Sequence, residues 1–279
     1  MLTRERSPGG AARCCQDCPV RTIGICGMID DPAMEAVATR ARRSTHAQGE
    51  AIIDQGEPSD RICILVRGIV KVVHLTEDGD EQVLQLLNPG DLIGDPFGSE
   101  SSVSWEAATE VTLCGLPRLA LDHLARQHPS LYRAYLAGAV RELEEQRLWS
   151  AAMRGRSTLQ RLAYWLGEQS SSASDHGGAI IEFGLSRRDL SSLLDMSVET
   201  LCRSLHQIEQ RGAIRLVSPN TIAVRDHAAL RRLASVEPEL AAPRRRTRAA
   251  TPRAGKKLLR DAATPKPAGD RSPGHDRRQ

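Results

Sequence analysis

Residues 185–224 restrict the possible folds more than any other part of the sequence, because they have the pattern of two short helices followed by a hairpin. Ser186 with Asp189 three positions later is typical of a capped helix start, and Ser197 can cap a second helix. Asp195 falls in the short turn between the two helices, where an aspartate tolerates a left-handed backbone better than most residues. Two apolar runs around a Ser-Pro-Asn turn then predict a hairpin. This order predicts a winged helix-turn-helix.

The second helix of this pair has an apolar and a polar face. The apolar face, expected to pack inward, carries Val198, Leu201, Leu205 and Ile208. The polar face begins at Ser197 and carries Glu199, Cys202, Arg203 and His206. Arginine can pair bidentately with guanine, and glutamate can accept from the cytosine amino group. We therefore expect this face to contact base edges in the major groove of double-stranded DNA.

A different pattern occupies residues 45–117. Short apolar runs such as Ile62–Val66 and Val70–Val72 alternate with turn signals that contain glycine, proline, asparagine or aspartate. Strands and turns at this spacing predict a small β-sandwich or barrel. Cys63 alternates with apolar residues in one of these strands, so we expect it in the core. A helix is expected before this region, from Pro32 to about Arg43.

A long helix is expected to follow the strands and to start near Pro129, since proline is tolerated in the first helical turn. A row of mostly apolar positions on this helix is spaced alternately by four and three residues, as in a two-helix seam. The seam consists of Tyr132, Leu136, Ala139, Leu143, Gln146, Ser150 and Met153. The pattern indicates a homodimer contact, and the alternative is a helix packed on its own domain.

The chain contains seven cysteines, three of which form an N-terminal group: Cys15, Cys18 and Cys26. Thiolates at such short spacing suit iron–sulfur clusters or zinc. A zinc site usually has two close pairs of ligands, whereas three close cysteines with a distant fourth fit a cluster better. Cys14 is a possible substitute for Cys15. The alternative is a set of unliganded cysteines on a flexible arm.

Composition and charge exclude several classes of function. The sequence has neither an apolar run of about 18 residues nor a secretory signal, so we expect a cytoplasmic protein without a membrane partner. It contains no phosphate-binding loop, dinucleotide fingerprint or nucleophile elbow, so an enzyme is not expected. Residues 238–279 carry 12 Lys/Arg and four Asp/Glu, in a chain of net charge +3. This basic tail is expected to be disordered.

On these motifs, the chain resembles the CRP/FNR superfamily of transcription regulators over about residues 15–235. The stretch from Val198 to Arg203 is similar to the FNR recognition helix, whose pattern is E-x-x-S-R. Glu199 and Arg203 match that pattern, and Cys202 replaces the serine. The resemblance implies binding to an FNR-like palindromic site with the half-site TTGAT, and RNA polymerase as a further partner.

The N-terminal segment CQDCPVRTIGIC resembles FNR proteins of the C-x2-C-x7-C variant. In that family a fourth cysteine follows the β-roll, and Cys114 occupies this place. The resemblance implies an oxygen-labile [4Fe-4S] cluster held by Cys15, Cys18, Cys26 and Cys114, which would control dimerisation. Oxygen or nitric oxide would be the signal. Cyclic-nucleotide members carry an arginine that neutralises the phosphate, but it is missing from residues 101–105, so no cyclic nucleotide is expected.

The resemblance implies an α+β fold with an N-terminal cysteine arm, a double-stranded β-helix (jelly-roll, cNMP-binding-like) sensor domain, a long dimerisation helix and a C-terminal winged helix-turn-helix. The expected boundaries are 1–30 for the arm, 31–118 for the sensor, 119–153 for the dimerisation region, 154–236 for the DNA-binding domain and 237–279 for the tail. Two other hypotheses stay open at this point. One is a cofactor-free regulator of the same family that uses thiol redox switches or protein level, and the other is a metal-binding interaction protein without DNA binding.

Overall fold

The structure is a computed structural model that describes residue 15 and residues 17–95, 97, 100–173, 180–182, 184–218 and 220–234. The expectations for Cys14 and for the tail at 237–279 therefore fall outside the described residues. In the described part of the chain, no helix is both long and apolar enough to cross a lipid bilayer.

The N-terminal half is a β-sandwich, as the alternating pattern predicts. Its strands are β1 (Arg42–His46), β2 (Ala51–Ile53), β3 (Arg61–Arg67), β4 (Val70–Leu75), β5 (Glu81–Leu87), β6 (Leu92–Ile93), β7 (Ser104–Ala107) and β8 (Val111–Pro117). They form two antiparallel sheets with the strand orders β1-β8-β3-β6 and β2-β7-β4-β5. Strand β5 lies at an edge of the second sheet and is available for contacts with other elements.

The core of the sandwich is made of aliphatic side chains from both sheets. Leu65, Leu113 and Ile93 of the first sheet pack with Val70 and Leu87 of the second, and each is at most 2% exposed. Burial of such side chains is the main stabilising contribution to a domain of this kind. The expectation that Cys63 lies in the core is also confirmed, since it is buried in this cluster.

Three helices flank the sandwich: α1 (Asp31–Arg40), α2 (Arg118–Gln127) and α3 (Pro129–Met153). Helix α3 begins at Pro129, as predicted. Helix α1 starts where the Asp30 carboxylate accepts a hydrogen bond from the Ala33 amide at 2.9 Å. The predicted end of α1 near Arg43 is wrong, because Arg43 already belongs to β1 and pairs with Cys114 of β8.

The C-terminal part contains the predicted helix pair and hairpin, with further elements around them. In order they are α4 (Thr158–Ala173), β9 (Ile180–Glu182), α5 (Arg187–Leu193), α6 (Val198–Gln210), β10 (Ile214–Ser218), β11 (Thr221–Val224) and α7 (His227–Ala234). Strand β9 was not predicted; its Ile181 pairs with Ile222 of β11 and extends the hairpin to three strands. A three-residue strand is too short for a clear pattern.

A second core connects the C-terminal domain to the sandwich. Leu166, Leu194 and Leu205 lie at its centre and are at most 1% exposed. Val73 and Val83 of the second sheet belong to the same cluster of buried side chains. The helix-turn-helix therefore packs on the sensor through a shared apolar contact.

Candidate functional site

The helix pair α5–α6 is fixed at each start by a side-chain cap. The Ser186 hydroxyl accepts from the Asp189 amide at 3.0 Å, and the Asp189 carboxylate accepts from the Ser186 amide at 3.3 Å, so the predicted capping box is present. The Ser197 hydroxyl accepts from the Thr200 amide at 3.2 Å. Asp195 in the turn has φ +51°, the left-handed conformation expected there. The caps thus fix where each helix starts, and Asp195 forms the turn between them.

Helix α6 buries one face and exposes the other. Leu201, Leu205 and Ile208 are at most 1% exposed, as predicted, whereas Val198 is 41% exposed because it lies in the first turn. On the outer face, the side chains of Glu199 and Arg203 are 75% and 67% exposed and form an ion pair with each other.

The other polar positions of α6 lie close to this ion pair. The carbonyl of Cys202 accepts from Nδ1 of His206 at 2.8 Å, so the ring of His206 is held against the helix. The Ser197 hydroxyl is engaged in the cap, and Cys202 is half-buried. The structure thus brings the five predicted residues to one accessible end and side of α6, with positions free to contact a groove of DNA.

The predicted cysteines also lie around one common cavity. Cys15, Cys18 and Cys26 of the arm and Cys114 of β8 line one cavity of about 90 Å³. Most of the remaining lining is apolar, with Val20, Ile25, Ile29, Ile62, Ile64, Leu92, Leu116 and Leu131, although Arg21 and Arg43 also contribute. Cys114 lies between the buried Leu113 and Gly115 in β8, so strand alternation turns it towards the arm and away from the core of the sandwich.

The electrostatics of the cavity follow from burial and from the proximity of the thiols. The pKa of Cys26 is raised from 9.0 to about 11, mainly by burial and further by Cys18 and Cys15, while Arg21 acts in the opposite direction. Across the described residues, no three His, Cys, Asp or Glu side chains are already arranged to hold a metal ion. The four thiols line one cavity, and a metal group held there would require their deprotonation.

Two close backbone approaches anchor the arm, and sequence analysis missed both. Gly24 has φ +57°, and a Cβ at this position would collide with the carbonyl oxygen of Gly90. Ile25 packs into a notch on α3 at Gly138, where a Cβ would lie 3.0 Å from the isoleucine side chain. The residue before Cys26 therefore contacts α3 directly. Gly138 has no turn signal around it that could have revealed this contact.

The predicted seam on α3 is accessible over its first half. Tyr132, Leu136 and Leu143 are 41%, 64% and 50% exposed, and Ala139 is exposed as well. Gln146 is half-buried, and Met153 packs against the C-terminal core. Val140, which the sequence analysis did not include, extends the exposed apolar stripe at 49% exposure. The Tyr132 hydroxyl donates to Asp122 of α2 at 3.1 Å, whereas the side chains of Leu136, Val140 and Leu143 are largely exposed.

A β-sandwich sensor, a long helix with an apolar stripe and a winged helix-turn-helix define a DNA-binding transcription regulator. Residues 43–128 match the family model of the cyclic nucleotide-binding domain, and residues 160–233 match that of the Crp-like helix-turn-helix domain. The chain belongs to the CRP/FNR family of transcription regulators. The curated relatives that the chain matches are transcription regulators and not enzymes.

Individual relatives support this assignment along most of the chain. The fumarate and nitrate reduction regulatory protein of Escherichia coli (strain K12) is 26% identical over 238 residues, which cover 84% of this chain and 95% of that protein. The nitrogen fixation regulation protein FixK of Bradyrhizobium diazoefficiens is 25% identical over 205 residues, or 73% and 86% of the two chains. The structure of FixK2 from Bradyrhizobium japonicum has a TM-score of 0.65 and 23% identity, and covers 71% of this chain and 98% of FixK2.

Proposed function

We propose that this regulator senses oxygen or nitric oxide through an oxygen-labile [4Fe-4S] cluster held by Cys15, Cys18, Cys26 and Cys114. The cluster would control dimerisation of a cytoplasmic protein and its binding to an FNR-like palindromic site. One observation carries the proposal: three cysteines of the arm and one cysteine far along the chain line a single, mostly apolar cavity.

The donor set and its surroundings fit such a cluster. Thiolates are the usual ligands of iron–sulfur clusters, and apolar side chains around the site limit access of water. Arg21 and Arg43 bring positive charge to the cavity wall, which favours the thiolate form and an anionic cluster. When bound, the cluster supplies a centre that reacts with oxygen. The residues of the chain hold it and shield it from solvent.

Contact between the arm and α3 supports a route from this cavity to the dimer seam. Ile25 is seated at Gly138, and the seam at Leu136, Ala139 and Leu143 lies on the same helix. Reorganisation of the arm after cluster loss would remove the isoleucine from its notch and change the position of α3. A two-state helix contact of this kind can couple a local chemical event to assembly.

The DNA side of the proposal rests on α6. Glu199 and Arg203 stand on its exposed side, next to Cys202, in positions that match the FNR recognition pattern. We propose that the dimer reads two TTGAT half-sites and acts together with RNA polymerase. Since the phosphate-binding arginine of nucleotide-sensing members is absent from residues 101–105, the sensor domain is proposed to act without a cyclic nucleotide.

Air-free purification with iron and sulfide analysis tests the cluster. The wild-type protein is expected to be coloured and to contain about four irons per chain. The single variants Cys18→Ser, Cys26→Ser and Cys114→Ser are expected to lose most of this iron, and comparison of Cys14→Ser with Cys15→Ser decides between these two neighbours.

Cys202→Ser is the matched control, because Cys202 lies on α6 and does not line the cavity. It should retain the iron of the wild type. A colourless wild-type protein that binds the palindrome equally with and without air would contradict the sensing proposal and would favour the cofactor-free alternative.

A further inference from the structure

A charged contact joins the sensor domain to the helix-turn-helix. Nζ of Lys71, in β4, lies 3.0 Å from the carboxylate of Asp189 in α5 and 2.9 Å from that of Glu106 in β7. The three side chains are only 12%, 17% and 22% exposed. Lys71 therefore connects two carboxylates, one from each domain, in a largely dry setting.

This contact reaches the backbone of α5 and not merely a mobile side chain. The Asp189 carboxylate that pairs with Lys71 also accepts from the Ser186 amide and hydroxyl, at 3.3 and 2.6 Å, in the capping box of α5. Because the aspartate is held at the helix start, movement of α5 away from the sheet would break the ion pair. A largely buried charge without its partner is costly, so the pair resists such movement.

Two further contacts lie beside the ion pair. The amide of Val83, in the edge strand β5, donates to the hydroxyl of Ser192 in α5 at 2.9 Å. Gly184, just before α5, lies so close to Thr109 and Ile69 of the sensor that a Cβ would collide with the threonine. The start and the last turn of α5 and the segment just before it thus each contact the sensor.

The covalent connection between the domains is short. Helices α3 and α4 are separated by residues 154–157, and Gly155 in this link has φ +68° with open space around its Cα. Meanwhile Glu199 and Arg203 on α6 stay exposed, so the docked arrangement leaves the DNA-reading side accessible.

We propose that Lys71 is a positioning residue for DNA recognition: it locks α5, and with it α6, at a fixed orientation to the sensor, and this sets which half-site spacing the dimer accepts. The inference rests on the dimer of the proposed function. In a dimer on a palindrome, the two recognition helices enter the major groove about one helical turn apart. That distance is held only if each helix-turn-helix is rigid with respect to its sensor and α3.

The test uses full-length wild-type protein and the variants Lys71→Met and Lys71→Arg. Half-sites are first selected by the wild type from a random duplex pool, and affinities are then measured on duplexes whose central gap changes one base pair at a time. The wild type is expected to show a sharp optimum. We compare the affinity for the duplex with the best gap with the affinity for a duplex whose gap is two base pairs longer. In Lys71→Met the ratio of these two affinities is expected to fall about tenfold, within the usual range of coupling between sites.

Arg126→Met is the matched control, since it removes an exposed ion pair with Asp122 in α2. It should keep the sharp optimum, and Lys71→Arg should largely restore it, because a guanidinium can also bridge two carboxylates. A uniform loss of affinity at every gap in Lys71→Met, with the optimum retained, would overturn the proposal and leave Lys71 a purely stabilising residue.

Hydrogen exchange of the Val83 amide provides a second readout that needs neither DNA nor a dimer. This amide is expected to exchange at least about tenfold faster in Lys71→Met than in the wild type and in Arg126→Met, because the contact with Ser192 opens more often. Unchanged exchange would overturn the lock. If the mass of the wild-type DNA complex revealed one copy per duplex, both the proposed dimer and the role of Lys71 in half-site spacing would be contradicted. Hydrogen exchange would still test whether Lys71 holds α5 on the sensor.

Discussion

Asp195 shows at the scale of one residue how the turn between α5 and α6 is made. Its φ of +51° lies in the region that costs an ordinary L-residue about 1–2 kcal/mol. The carboxylate is 97% exposed and pairs at 3.0 Å with Arg161, whose side chain is 14% exposed. Because water still screens the aspartate, the contact is of small worth. The turn therefore depends on backbone conformation more than on the ion pair.

We expect Asp195→Val to destabilise the protein by about 2 kcal/mol, because a β-branched residue is strongly disfavoured at positive φ. Asp195→Gly should be neutral or stabilising by up to about 1 kcal/mol. Urea unfolding measures both, with Asp195→Asn as the control that keeps a residue tolerant of this conformation. A valine variant as stable as the asparagine variant would contradict this explanation.

At the scale of an element, helix α3 has an exposed apolar stripe that can pair with a second copy. Leu136 and Leu143 are 64% and 50% exposed on this helix. Paired with a second copy, this stripe would bury apolar area that stabilises a dimer. Leu136→Glu and Leu143→Glu are each expected to weaken air-free dimerisation at least about tenfold, which light scattering over a range of concentrations can measure.

Leu119→Glu is the control for this experiment. Leu119 is 82% exposed on α2 and is not part of the α3 stripe, so its substitution should leave the dimer intact. Dimers of undiminished strength in both seam variants would contradict a seam on α3.

Elements with a strong local signal were predictable from the sequence. The caps at Ser186 and Ser197 and the proline at the start of α3 identify helix starts, because these residues satisfy or tolerate unpaired amides. The spacing of Cys15, Cys18 and Cys26 indicated a thiolate group, whereas Cys114 was assigned to it only through a family resemblance. Arg43 shows the limit: it continues a helical pattern, yet pairing with β8 draws it into a strand.

Contacts between distant segments could not be predicted, since no local pattern encodes them. From the sequence alone, Lys71 is a charged residue on a strand and Asp189 is part of a helix cap. The fold places them in contact although they are 118 positions apart. Ile25 and Gly138 pose the same problem, because a notch on a helix depends on what packs there.

At the scale of the whole molecule, the ion pair between the domains links stability to pH. Burial alone would raise the pKa of Asp189, but hydrogen bonds from Ser186 and Lys71 and the charge of Lys71 outweigh it, so the pKa lies below 3.8. For Lys71, burial would lower the pKa, but its two carboxylate partners raise it above 10.5. The contribution of the carboxylate is therefore present above pH 3.8 and lost as pH falls through the lowered pKa, and that of the lysine is lost only in strong base.

Lys71→Met should accordingly destabilise the protein by about 2 kcal/mol at neutral pH, between the values typical of exposed and fully buried pairs. Without the lysine, Asp189 and Glu106 lose the cation that pairs with both, and acid relieves this by protonating Asp189. The difference in unfolding free energy between wild type and variant should therefore shrink as pH falls towards and below 3.8.

Urea unfolding from pH 7 to pH 3 measures this difference. The control Arg126→Met, which breaks an exposed ion pair, should differ only slightly from the wild type at neutral pH. A difference for Lys71→Met that stayed constant down to pH 3 would mean that the methionine variant loses packing and not charge pairing, since only charge pairing responds to protons.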